Sequence, residues 1–227
     1  MFRKFLISLI FIFTLNITLS NTLTAQTANI PSAPIIGAKS YLVIDTLTNH
    51  EIASLEPNLR LPPASITKLM TAYVVFHALE SDQISLEDQV TISEKAWRMT
   101  GSRMFIEVGK KVSVQDLLMG MIVQSGNDAS VALAEFVAGS EFLFVDLMNQ
   151  YAANLSMTSS SFQNSTGLPD ENHFSTAHDL SLLAKAIITE FPKYYRWYST
   201  KEFTYNEITQ RKVLINQTEE IFRVKIP

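Results

Sequence analysis

The stretch "LPPASITKLMTAYVVF" (61–76) constrains this chain more than any other. Past its prolines it reads as a helix that is apolar nearly all the way round, through Ile66, Leu69, Met70, Tyr73, Val74, Val75 and Phe76. A helix with no polar face is stable only when buried, so the remaining chain has to supply a shell for it. Lys68 nevertheless stands in its first turn, three residues after Ser65, at the end where the helix dipole disfavours a cation.

The chain is large enough to build such a shell: 227 residues, 47% hydrophobic and 18% charged, suffice for one good core. Residues 40–58 predict a β-hairpin, with Tyr41–Ile44 as its first strand, a turn carrying Asp45, Thr48 and Asn49, and a return strand through Ile52 and Leu55. After the 61–80 helix the text turns mostly helical. Ser113 and Asp116 form a capping box before "LLMGMIV", and "DASVALAEFV" runs to a stop at Gly139. A further helix covers about 141–155, and Thr176 with Asp179 caps another that Pro192 closes. "KEFTYNEIT" offers one more strand. Two or three strands are few for so many helices, so the chain reads as short of β-structure near its C-terminal end.

Ser65 and Lys68 lie one helical turn apart and share a face. Burial and the helix dipole both depress the lysine pKa, and a neutral amine can take the proton of a serine nucleophile. Backbone N–H groups at the same helix start could stabilise an oxyanion. Taken alone the spacing is weak, because S-x-x-K occurs by chance about once in a chain this long. Ser65 as a cap and Lys68 reaching water would explain it equally well. The second element is "IVQSGNDAS" (122–130), which puts Ser125 and Asn127 in a loop between two apolar helices. There a serine can relay a proton and a carboxamide can hold a carbonyl. By itself that loop also reads as a capping turn with Asn127 or Asp128 as N-cap. S-x-x-K with S-D-N and K-T-G is the signature of penicillin-binding proteins and class A β-lactamases, and the first two elements occur here in that order, about 60 residues apart, the second as Ser125-Gly126-Asn127.

With both motifs in order, the sequence resembles the D-alanyl-D-alanine carboxypeptidases, the low-molecular-mass penicillin-binding proteins of serine peptidase family S11. "LPPASITKLMTAYVVF", "LLMGMIVQSGNDASVALAE", "FQNSTGLPDENHFSTAHDLSLLAKAI" and "KEFTYNEITQ" follow the family order, from about Ser40 to Gln210. The resemblance implies an α+β chain with the penicillin-binding-protein / serine β-lactamase-like transpeptidase fold, a helical subdomain beside an incomplete antiparallel sheet. It implies a serine carboxypeptidase that removes the terminal D-alanine from peptidoglycan stem peptides through an acyl-enzyme and is also acylated by penicillin. Ser65 would be the nucleophile, Lys68 its general base, Ser125 the proton relay and Asn127 the substrate holder. His173, in the "NSTGLPDENH" loop (164–173), is a further substrate-binding candidate. No cofactor is implied.

The expected division is a signal peptide over 1–25, a linker over 26–39, an incomplete catalytic domain over 40–210 and a divergent tail over 211–227. Arg3 and Lys4 precede the apolar stretch 5–19, and Leu23-Thr24-Ala25 offers a cleavage site that would start the mature chain near Gln26. The other reading of that stretch is a membrane anchor, but Thr14, Asn16 and Thr18 interrupt it and it falls short of the roughly 20 residues that span a bilayer. An exported, periplasmic or cell-envelope protein is expected, associated with the membrane only indirectly. The family's third motif, K-T-G, is missing: no lysine here is followed by Thr-Gly. The expected cause is a frameshift or premature end, and the expected consequence an impaired or unstable product.

Two alternatives stand beside this reading. A class A β-lactamase shares the first two motifs and needs a glutamate in the lower loop, where Glu171 lies. A non-catalytic fragment or pseudoenzyme would need neither. Other hydrolase schemes fail, since there is no G-x-S-x-G elbow and His50-Glu51 lacks the second histidine of H-E-x-x-H. With no cysteine and four scattered histidines, thiol chemistry is excluded and a metal site is not expected. A net charge of −4 without a basic cluster argues against nucleic acid as a main partner.

Overall fold

A computed structural model of the protein describes residues 36–211. The expected signal peptide, nearly all of the linker and the tail beyond Arg211 lie outside the described residues. β1 (Tyr41–Ile44) and β2 (Glu51–Leu55) make the expected antiparallel hairpin, in the register Tyr41↔Leu55 with an irregularity at Val43/Ile44. Asp45 ties its turn: Oδ1 accepts from the Leu47 and Thr48 N–H groups at 3.0 and 2.7 Å and from the Thr48 hydroxyl at 2.8 Å.

The apolar helix is α1 (Lys68–Glu80), preceded by a 3₁₀ turn over Ala64–Thr67. The sequence predicts one helix from about 61. The α-helix starts later because Pro62 and Pro63 have no N–H to donate and Ala64 takes a left-handed φ of 47°. All of α1 is buried except His77 and Glu80. Its shell consists of α3 (Val114–Gln124), α4 (Asn127–Ala138), α5 (Glu141–Asn154) and α6 (Ala177–Glu190). Met70 and Phe76 are wholly enclosed; burying a side chain of that size contributes roughly 1.5–3 kcal/mol. Phe76 stacks on Tyr194 at 4.8 Å, and Tyr73 meets Phe191 edge-on at 5.4 Å, which seals α1 against the end of α6.

The predicted caps form. Ser113 receives the Asp116 N–H at 3.0 Å, Thr176 receives that of Asp179 at 3.0 Å, and Gly139 ends α4 at φ 80°. Two strand pairs add to the sequence expectation. β3 (Gln89–Thr91) and β4 (Lys111–Ser113) close a long excursion containing the one-turn α2 (Glu94–Trp97). After α6 come α7 (Pro192–Tyr195) and a 3₁₀ turn over Arg196–Ser199. "KEFTYNEIT" is then not one strand but a hairpin, β5 (Glu202–Tyr205) with β6 (Ile208–Arg211), turning at Asn206 and Glu207 with φ 50° and 65°. Positive φ at both turn residues matches the twist of the strands. Among the described residues the three antiparallel pairs are separate two-stranded sheets, and no helix is long and apolar enough to cross a membrane.

Candidate active site

Ser65 lies in the 3₁₀ turn and Lys68 is the first residue of α1. In a 3₁₀ turn residues i and i+3 eclipse, so the serine and lysine stand closer in register than on a regular α-helix. Lys68 Nζ lies 3.4 Å from Ser65 Oγ and donates to the Thr166 carbonyl at 2.8 Å. A carbonyl only accepts, so the amine keeps this bond in either protonation state, and its lone pair is left for the serine hydroxyl. Lys68 is only 6% exposed. Burial pulls its pKa down to about 8, against the support of the Asp128 charge.

The strand-like pairing of Leu61 with Ser175, through bonds of 2.9 and 3.0 Å, brings the approach to Ser65 against the 161–175 loop. Asn164 shapes that loop. Its Oδ1 accepts from the Thr166, Gly167 and Leu168 N–H groups at 3.2, 2.7 and 3.1 Å and from the Thr166 hydroxyl at 2.9 Å. Gly167, at φ 84°, lies directly under the backbone of Ala64. The serine turn, with Ala64 at a left-handed φ of 47°, is thus packed directly against the loop at Gly167.

Ser125 sits between α3 and α4 in a left-handed conformation with φ 58°. Its hydroxyl is buried and has no hydrogen-bond partner in the structure. Such a group is expensive to leave unpaired and is suited to a ligand that satisfies it. Gly126, not Asn127 or Asp128, is the N-cap of α4. The Asn127 side chain instead reaches back to the Thr100 carbonyl at 2.7 Å, and its N–H donates to the Ser102 carbonyl at 2.7 Å. Asp128, 1% exposed, accepts from the N–H groups of Met104, Phe105 and Ile106 at 3.0, 2.9 and 3.3 Å and from Ala129 at 2.9 Å. Segment 100–106 is therefore strapped to the start of α4.

His173 is 3% exposed. Its Nε2 lies 2.8 Å from Thr67 Oγ1, and its Nδ1 receives the Gln163 N–H at 3.4 Å. Nδ1 as acceptor leaves Nε2–H to donate to Thr67, and burial lowers the ring pKa. Both ring nitrogens are thus engaged beneath the residue next to Lys68, a different placement from the substrate-facing one expected for His173. Glu171 is exposed in the turn over 171–172. Among the described residues no cluster of His, Cys, Asp or Glu is placed to hold a metal ion. The sequence marks neither Thr166 nor Asn164 as a site residue, and offers Asp128 only as a possible helix cap. Of the first two, only Asn164 carried a local signal, the turn chemistry of "NSTG".

The family model for peptidase S11, described as D-alanyl-D-alanine carboxypeptidase, matches residues 27–224, a wider span than 40–210. D-alanyl-D-alanine carboxypeptidase DacC of Escherichia coli K12 is 45% identical over 184 residues, 78% of this chain and 46% of the relative. DacF of Bacillus subtilis is 38% identical over 82% of this chain and 48% of its own length. Penicillin binding protein 5 from Haemophilus influenzae superposes with a TM-score of 0.78 at 40% identity, over 80% of this chain and 54% of that one. Penicillin binding protein 6B from Escherichia coli gives 0.77 at 40% identity, over 82% and 60%. The chain spans about half the length of the curated relatives it matches. Its fold is that of the penicillin-binding proteins, and by sequence and structure together the chain belongs to the S11 family of D-alanyl-D-alanine carboxypeptidases.

Proposed function

We propose that this chain carries the acylating machinery of a serine-type D-alanyl-D-alanine carboxypeptidase. Ser65 Oγ attacks the carbonyl of the penultimate D-alanine while the Lys68 amine takes its proton. The C–N bond to the terminal D-alanine breaks as the leaving amine gains a proton through Ser125, and water then hydrolyses the Ser65 ester. Asn127 holds the peptide with the second hydrogen of its Nδ2. His173 braces Thr67 and does not touch substrate. The substrate class is peptidoglycan stem peptides ending in D-Ala-D-Ala, and β-lactams form the same ester at Ser65.

The observation that carries this reading is Lys68, a buried amine held by the Thr166 carbonyl with Ser65 Oγ 3.4 Å away. Contacts of this kind are commonly long before substrate arrives. None of the lysines is followed by Thr-Gly. Where a relative bears that motif it supplies an oxyanion donor, a kind of group worth about 10²–10³ in rate. Glu171 does not support the β-lactamase alternative, because an exposed turn residue is not held against an acyl-enzyme. Export, with cleavage near Gln26, belongs to the same reading and rests on Arg3, Lys4 and the apolar stretch 5–19.

The test is release of D-alanine from a synthetic pentapeptide ending in D-Ala-D-Ala, beside Ser65→Ala. Release that the substitution abolishes supports the reading. A folded chain that releases none, or that releases it equally without Ser65, contradicts it.

A further inference from the structure

Glu141 opens α5, outside both sequence motifs, and its carboxylate is among the few buried charges of the described residues. Oε1 accepts from both the N–H and the hydroxyl of Ser165, at 2.9 and 2.7 Å. Oε2 lies 2.7 Å from Lys95 Nζ, which comes from α2. The Ser165 carbonyl in turn accepts from Thr71 Oγ1 of α1 at 2.7 Å. All three polar groups of Ser165 are therefore held, by two helices. One residue on is the carbonyl that takes the Lys68 amine.

A carboxylate is used here rather than a neutral acceptor. Burial pushes the Glu141 carboxyl up, but Lys95 and the two Ser165 donors outweigh this and hold it below its ordinary value. It therefore remains ionised, and bonds to an ionised acceptor are shorter and roughly twice as strong as neutral ones.

We propose that Glu141 is a positioning residue for the Ser65–Lys68 pair, fixing through Ser165 the direction in which the Thr166 carbonyl meets the lysine amine. The proposal rests on the reading of Lys68 as the base of an acylating serine. The charged group that acts on Lys68 directly is Asp128, while Lys95 faces Glu141. Substituting Glu141 leaves the Asp128 support in place. What changes is the loop that walls Lys68 from water. Freed of its anchor, the loop admits water to the amine, and burial, the main cause of the depressed pKa, weakens.

The test follows the lysine 13Cε–1Hε signals of the whole chain against pH, with the Lys68 signal assigned by Lys68→Arg. Acylation by a fluorescent penicillin is followed over the same pH range. The wild-type midpoint is expected near 8. Glu141→Gln is expected to raise the midpoint by about one unit, to slow acylation at neutral pH about tenfold and to move the rising limb of the pH profile by the same amount. Ser165→Ala, which removes only the hydroxyl donor, is expected to shift both curves in the same direction by less. A folded Glu141→Gln protein whose two curves overlay those of the wild type would overturn the proposal. So would a uniform loss of acylation at every pH with the Lys68 titration unmoved, which is what a brace acting on stability alone gives. If Glu141→Gln does not fold, Ser165→Ala decides by the same two curves. A wild-type chain that is never acylated, but whose Lys68 midpoint moves in Glu141→Gln, would sink the carboxypeptidase reading and leave the positioning role standing.

Discussion

A β-carbon on Gly167 would stand 1.8 Å from the carbonyl oxygen of Ala64, the residue before the candidate nucleophile. The loop that holds the lysine and the turn that holds the serine are thus packed backbone on backbone. The relation is tight enough to make the serine's position depend on a residue about a hundred places further along the chain.

Gly167→Ala is the first prediction. The new methyl group forces the two backbones apart, at about 1–3 kcal/mol for overpacking, and the left-handed φ of 84° adds roughly 1–2 kcal/mol of strain. Urea denaturation is expected to show a loss of that combined size, together with strongly reduced labelling of Ser65. Unchanged stability would mean that the contact relaxes freely.

Lys68 is the second. Its pKa is about 8 in the folded chain against an ordinary 10.5, so between those values the unfolded chain holds a proton that the folded chain has released. Stability contributed by this group therefore rises as pH climbs from about 8 toward 10.5, and below 8 the buried ammonium destabilises the fold by roughly 3 kcal/mol. Lys68→Met is expected to be more stable than wild type at pH 7 by a fraction of that figure, and inactive. Denaturation midpoints of the two proteins at pH 7 and pH 10 check this, and the difference should shrink at the higher pH.

For His173 the sign runs through a lower window. Burial depresses its pKa below the usual 6.5, so under acid conditions the unfolded chain takes up a proton that the folded ring resists. Stability is present above pH 6.5 and is lost as pH falls toward the folded-state value. His173→Gln, which can still meet Thr67, is expected to flatten the stability profile between pH 5 and 7. Persistence of the slope in the variant would assign it to another group.

Asp128 yields the fourth prediction. Asp128→Ala leaves four backbone N–H groups without their carboxylate, three of them in the 104–106 segment. A loss of about 3–5 kcal/mol is expected, of the size seen when a buried charged partner is removed. Hydrogen exchange should accelerate at Met104, Phe105 and Ile106 ahead of the helix interiors. Protection there equal to wild type would show that the strap is not what holds the segment.

Much of the fold was legible because it rests on local chemistry. The Ser113 and Thr176 caps, the stop at Gly139 and the Asp45 turn all follow from side chains that bond within a few residues of themselves. The full burial of α1 followed from its lack of a polar face. β3 and β4 were not legible, since three-residue strands with one buried residue each present no alternation to read. The same holds for the hairpin in "KEFTYNEIT", where Asn206 and Glu207 carry no glycine to mark the turn.

In the candidate site, the Ser65–Lys68 spacing and the Ser125–Asn127 loop are each weak signals alone, and only their order together with the family resemblance singles them out. What those residues depend on was not. The Thr166 carbonyl, the Glu141 anchor and the Asp128 strap are contacts between segments 22 to 98 residues apart, and all three involve backbone groups. No local pattern marks such a partner. His173 shows the converse: a polar residue in a loop of the family's active site that turns inward, to Thr67, rather than outward.

The measurement that tests the central claim most directly is intact-mass spectrometry of the purified chain after incubation with benzylpenicillin, with Ser65→Ala and Lys68→Met beside it. The account predicts one covalent adduct, mapped by peptide digestion to Ser65. It should be absent from both variants. A folded chain that gains no mass, or an adduct that survives Ser65→Ala, would contradict it.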